Sequence, residues 1–160
     1  MSDHRYDLEE RLLEYAALII RLVEKLPSTR AGNHVAGQLL RSGTSVLPNH
    51  GEAEGAESRN DFIHKLGLCH KELRESRRWL RLIQRVPLLT DAPELEKALQ
   101  ETAELVRIFA ASIRTARANA GEGVGCREEP GAYMNAQLPT PNAQLSTQWS
   151  REQKSSDGLN

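Results

Sequence analysis

Six basic side chains in one stretch are the clearest chemical feature of the chain: Lys71, Arg74, Arg77, Arg78, Arg81 and Arg85. On a helix turning about 100° per residue they fall within an arc of about 120°, and the stripe is about 20 Å long. Glu72 and Glu75 fall outside that arc and do not interrupt it. Arginine offers a forked set of N–H donors suited to phosphate oxygens, so such a stripe can follow a phosphate backbone. The same residues also suit a solvated face, or pairing across subunits with acids such as Glu94, Glu96 and Glu101.

Other chemistries find less support. Ser42, Thr44, Ser45, Asn49 and Glu52 cluster around Pro48, with His50 as the one local base. That histidine stands eight residues from Ser42 and five from Ser45, a poor alignment for a nucleophile–base pair on a helix. The expected role of Ser42 and Asn49 is to fix register and repair backbone bonds near the proline. His34, His50, His64 and His70 form no E-x-x-H or H-x-x-x-H pair of the kind that bundles use for metals. Glu72 sits beside an apolar sector, where an arginine partner is expected, with Arg41 the candidate. No glycine run forms a phosphate-binding or dinucleotide fingerprint, and GEGVG near the C-terminus is a simple loop. A non-enzymatic protein with no cofactor and no metal is the expectation.

The stripe needs a helix, and the apolar spacing predicts four. Leu8, Leu12, Tyr15, Ile19, Leu22 and Leu26 form a heptad-like seam over Tyr6 to Leu26, stopped by Pro27. Ser28 or Thr29 can cap a second helix, Arg30 to Glu57, whose seam is Val35, Leu39, Ser42, Val46, Asn49 and Ala53, with a kink expected at Pro48. Ser58 opens a third over Arg59 to Val86, with Asp61 in its first turn. Its seam is Phe62, Leu66, Cys69, Leu73, Ser76, Leu80 and Ile83, with Trp79 alongside. The fourth starts at Thr90–Pro93 and continues through Leu95, Leu99, Thr102, Val106, Phe109, Ile113 and Ala116 to Gly121. Short connections allow only antiparallel neighbours. The predicted fold is all-α: an antiparallel up-down-up-down four-helix bundle over residues 1–120.

Residues 121–160 are rich in Gly, Pro, Asn, Gln and Ser without sustained periodicity, and are expected to be a disordered tail. Tyr133, Met134, Leu138 and Trp149 are its candidate docking points. Across all 160 residues, 21 Lys+Arg face 22 Asp+Glu, which excludes a uniformly basic binder. The tail holds three basic and five acidic residues, leaving 18 and 17 in the bundle, so the near-zero total conceals a segregated charge. Aromatics make up 4% of the chain, which argues against stacking platforms for single strands. No apolar run reaches the roughly 18 residues of a membrane span. The charged N-terminus has no signal-peptide pattern, and Cys69 and Cys126 have no disulfide-framework spacing. A cytoplasmic protein with reduced thiols and no membrane partner is expected.

The stretch from Gln38 to Ile83 resembles the bacterial family of 23S rRNA intervening-sequence proteins, also called the S23 family. The resemblance rests on the QLLRSGTSV run at Gln38 to Val46, then Asn49 and Glu52, then Asp61 to Ile63, Lys65, Leu66, Lys71, Glu72, Glu75, Trp79 and Leu80. It extends over about residues 5–120 and includes Leu26 and Pro27; the chain departs from the pattern at Leu47, Pro48 and His50. The resemblance implies a bundle that assembles into ring-shaped homopentamers. It also implies a non-catalytic, nucleic-acid-associated role, either alongside ribosomal RNA inserts or as an accessory protein binding a reverse transcriptase and RNA. The partners expected are therefore a second copy of the chain and an RNA or nucleoprotein, with docking onto a partner enzyme such as a reverse transcriptase as the alternative.

Overall fold

The computed structural model describes residues 7–90 and 92–121. Four helices run in chain order: α1 Leu8–Val23, α2 Arg30–Glu54, α3 Arg59–Arg85 and α4 Pro93–Gly121. They pack as an antiparallel four-helix bundle, with α1 beside α2, α2 beside α3 and α3 beside α4. A thinner contact between α1 and α4 closes the ring of neighbours, so α1 and α3 face each other across the diagonal. Of the tail predicted over residues 121–160, Gly121 instead ends α4, and the rest, with Cys126 and the candidate docking residues, lies outside the described residues.

Local chemistry sets each helix start. Asp7, Thr29 and Ser58 adopt extended backbone, and their side chains accept from the N–H groups of Glu10, Gly32 and Asp61. Each cap satisfies a donor that has no carbonyl within its own helix. α1 stops at Val23, earlier than its seam suggested, yet Leu26 in the following turn still reaches the core. α2 stops at Glu54, where Gly55 donates back to the Gly51 carbonyl.

The seams of α1 and α3 enter the core largely as their spacing predicts, while α2 and α4 depart from it. In α2 the buried position near the proline is His50, and Asn49 lies at the flank. In α4 the core takes Ala98, Leu105 and Ser112, and the larger Leu99, Val106 and Ile113 are only half-buried. Buried polar pairs cross the core. Tyr15 Oη lies 2.9 Å from Thr102 Oγ1, joining α1 to α4, and Ser76 Oγ donates to Ser42 Oγ at 2.9 Å, joining α3 to α2.

α2 continues through Pro48, and side chains bond carbonyls in the turns before it. Thr44 Oγ1 donates to the Leu40 carbonyl, Ser45 Oγ to Ser42 and Asn49 Nδ2 to Ser45. The repair role expected for Ser42 and Asn49 is thus shared with Thr44 and Ser45. The α2 glycines divide into two kinds. A Cβ at Gly43 would sit 2.8 Å from Ile19 Cγ2 and one at Gly32 2.0 Å from the Pro27 oxygen, while Gly37 and Gly51 have open space. Gly43→Ala should therefore lower stability by about 1–3 kcal/mol through overpacking. Gly37→Ala should raise it by about 0.5–1 kcal/mol through helix propensity. Urea titration of the two variants reads both signs, and equal effects would refute the close approach of α1 to α2.

Candidate nucleic-acid interface

All six stripe residues, Lys71, Arg74, Arg77, Arg78, Arg81 and Arg85, are exposed on the outer face of α3. Among the described residues none of them has a carboxylate within salt-bridge distance. The two glutamates on the same helix turn to α2 instead. Arg41 Nη2 holds Glu75 Oε1 at 2.5 Å and its Nη1 lies 3.8 Å from Glu72 Oε2, so the expected Arg41–Glu72 pairing is present with a second acid added.

Of the acids that could pair with the stripe across subunits, Glu94 and Glu101 are held from α1, while Glu96 lies on the side of α4 that meets α3. Glu94 pairs with Lys25, and Arg11 bonds Glu101 at 2.5 Å and Glu104 at 2.8 Å, all on the α1 side of α4. Glu96 lies 3.5 Å from Gln84 Nε2. On the far side of the bundle, α1 exposes Glu9, Glu10, Glu14 and Glu24. Negative charge therefore gathers on α1 and positive charge on α3, opposite each other.

The residues that carry the family resemblance mostly stitch α2 to α3. Lys65 pairs with Glu52 at 2.5 Å, Arg41 bridges Glu72 and Glu75, and Ser76 donates to Ser42. Cys69 donates to the Val46 carbonyl, and Trp79 Nε1 lies 3.5 Å from Glu75 Oε1. Trp79 is half-buried, its ring meeting that of His34 edge-on at 6.0 Å. Of the signature residues, only Lys71 belongs to the stripe. No arrangement of Ser42, Ser45 and His50 for nucleophilic attack is formed: both hydroxyls donate to backbone carbonyls, and no hydrogen bond joins either to the histidine. Burial pushes the Cys69 thiol up to about 12, so it stays protonated and unreactive. No group of three or more metal-binding side chains comes together among the described residues, and no helix there is long and apolar enough to cross a membrane.

Comparison with known proteins places this geometry. The family model described as 23S rRNA-intervening sequence protein matches residues 6–111. A solved structure, a protein of unknown function from the S23 ribosomal protein family of Bacteroides thetaiotaomicron VPI-5482, is 33% identical with a TM-score of 0.62. The match covers 68% of this chain and 99% of the other. No curated protein matches the chain.

The histidines add a pH response. His50 is buried with its ring edge-on to Phe109 at 6.1 Å, and its Nδ1 has no hydrogen-bond partner. Burial lowers its pKa, with Glu54 at 4.0 Å opposing weakly. His70 is lowered too, by burial and then by Arg74. Both groups bind protons less readily when folded, so their stability contribution is whole above the unfolded histidine pKa of about 6.5 and is lost as pH falls below it. Thermal unfolding should therefore show a falling Tm from pH 7 to pH 5 (values near the unfolded pKa of about 6.5). His50→Leu should flatten that fall, and an unchanged pH slope in the variant would show that His50 is not held neutral.

Proposed function

The chain belongs to the 23S rRNA-intervening sequence protein family, and from that premise we propose that it is a non-catalytic, homo-oligomeric bundle that associates with structured RNA or a nucleoprotein through the α3 stripe. The observation that carries this reading is that Lys71, Arg74, Arg77, Arg78, Arg81 and Arg85 have no carboxylate within salt-bridge distance among the described residues, Arg41 holding the two glutamates that neighbour them on α3. Such cations displace condensed counterions from phosphates, and their fixed spacing positions the protein along the backbone with little reading of base sequence. Repetition of the stripe around a ring, pentameric as the family resemblance implies, would raise avidity without any new contact.

A second reading, a scaffold that docks a partner enzyme such as a reverse transcriptase, draws on a different face. Leu13 and Ile20 of α1 and Leu40 of α2 are large apolar side chains left exposed. Salt separates the two readings, since apolar docking weakens far less with ionic strength than phosphate binding. Charge reversal at Arg77→Glu and Arg81→Glu should weaken retention of a structured RNA at least about tenfold at low salt and make its salt dependence shallower by about two contacts. Gel shift and sedimentation of the same double variant check this. Unchanged RNA retention with an altered particle mass would assign the stripe to a subunit interface instead.

A further inference from the structure

The cationic surface does not end with α3. α4 carries Arg107, Arg114 and Arg117, all exposed and none with a carboxylate within salt-bridge distance among the described residues. At about 100° per residue these three fall in an arc of about 80°, in the sector that also holds Glu96. The contact of Glu96 with Gln84 turns that sector toward α3. The acids Glu94, Glu101 and Glu104 occupy the opposite flank, where Lys25 and Arg11 of α1 hold them.

The register of the two helices fixes how the rows join. Gln84 meets Glu96 at one end, and Arg59 Nη1 donates to the Asn119 carbonyl at the other. Arg107 therefore lies level with Leu73, beside Arg74 and His70, while Arg114 and Arg117 lie level with Leu66 and Ile63. Below Lys71, the outer surface of α3 offers Gly67, whose Cβ position has open space, and the half-buried Ile63. The α4 arginines take over where the α3 stripe stops. The band crosses diagonally from Arg85 on α3 to Arg117 on α4 and is about 33 Å long at 1.5 Å per residue, against about 20 Å for α3 alone.

We infer that this two-helix band is a seat for a double-stranded RNA stem, held by phosphates over about one turn of the duplex, with Arg107, Arg114 and Arg117 as binding residues. The inference rests on the RNA-associated reading above and extends its site. The length fits a turn of duplex, and a band on two packed helices holds its cations at fixed spacing, which suits a stiff double strand. Single strands need exposed aromatic platforms, which this face lacks. Tyr15 and Phe109 are buried, while Phe62 and Trp79 are half-buried.

The test is fluorescence anisotropy of the full chain with an RNA stem of about 16 base pairs, and with a single strand of equal length, over about 50–200 mM salt. The intact chain should prefer the stem. The triple variant Arg107→Gln, Arg114→Gln, Arg117→Gln should make the slope of log affinity against log salt shallower by about two to three for the stem. A wild-type slope in the triple variant, with the α3 double variant still impaired, overturns the α4 extension and leaves the α3 reading standing. Equal affinity for the single strand overturns the duplex assignment. If the intact chain retains neither probe, both readings fall.

Discussion

The seam between α2 and α3 is the constraint on which the rest of the bundle depends, because α2 is a poor helix by itself. Four glycines and a proline within α2 cost about 6–7 kcal/mol relative to alanine. Burial of Val35, Leu39, Val46 and Ala53 offsets that cost, and the Ser42–Ser76, Arg41–Glu72–Glu75 and Glu52–Lys65 contacts set the register. Once α2 is formed, Gly43 can accept Ile19 at close range, and α1 docks against it. The hydroxyls and amide that bond carbonyls around Pro48 belong to the same scheme: residues that resemble a catalytic cluster in one dimension hold a helix together in three.

Electrostatics in this protein is a matter of routing. Arg41 draws two acids off α3, and Arg11 draws two off the outer surface of α4 toward α1. Part-buried pairs of this kind gain little net stability, since desolvation offsets much of the attraction. Their larger effect is on the surface left behind, where the six stripe residues have no carboxylate within salt-bridge distance among the described residues. The family signature and the binding stripe thus divide the labour. Most signature residues build the seam between α2 and α3, and the stripe residues, Lys71 shared between the two sets, face solvent on the reverse side of α3.

Much of this was legible in the sequence. The seams of α1 and α3 keep an unbroken heptad rhythm, mostly of large apolar residues, so their buried faces could be read directly, and the caps Thr29 and Ser58 follow from residue type. The α4 seam could not be read in the same way. Leu99, Val106 and Ile113 outweigh Ala98, Leu105 and Ser112 in hydrophobicity, and only close packing shows that the smaller set faces inward. In α2 the heptad from Val46 to Ala53 is kept, but its middle position is His50 rather than Asn49. A 4-3 spacing fits the same repeat as 3-4, so spacing alone could not tell the two apart. The stripe on α3 was visible because its acids lie on another face of the same helix. The arginines of α4 were hidden by Glu94, Glu101 and Glu104, which cancel them along the chain and part from them only when α1 claims the acids.

The diagonal placement of α1 and α3 has a consequence for motion in solution. A molecule with nearly equal numbers of acids and bases has almost no monopole, yet one with an excess of acids on α1 and the turn after it, where Arg21 and Lys25 are also exposed, and of cations on α3 has a dipole directed across its waist. In the field of a polyanion such a body turns before it touches, presenting α3 and keeping α1 away. Steering of this kind acts on the encounter rate and fades with ionic strength. The orientation of approach is therefore set by the diagonal of the bundle before any individual arginine meets a phosphate.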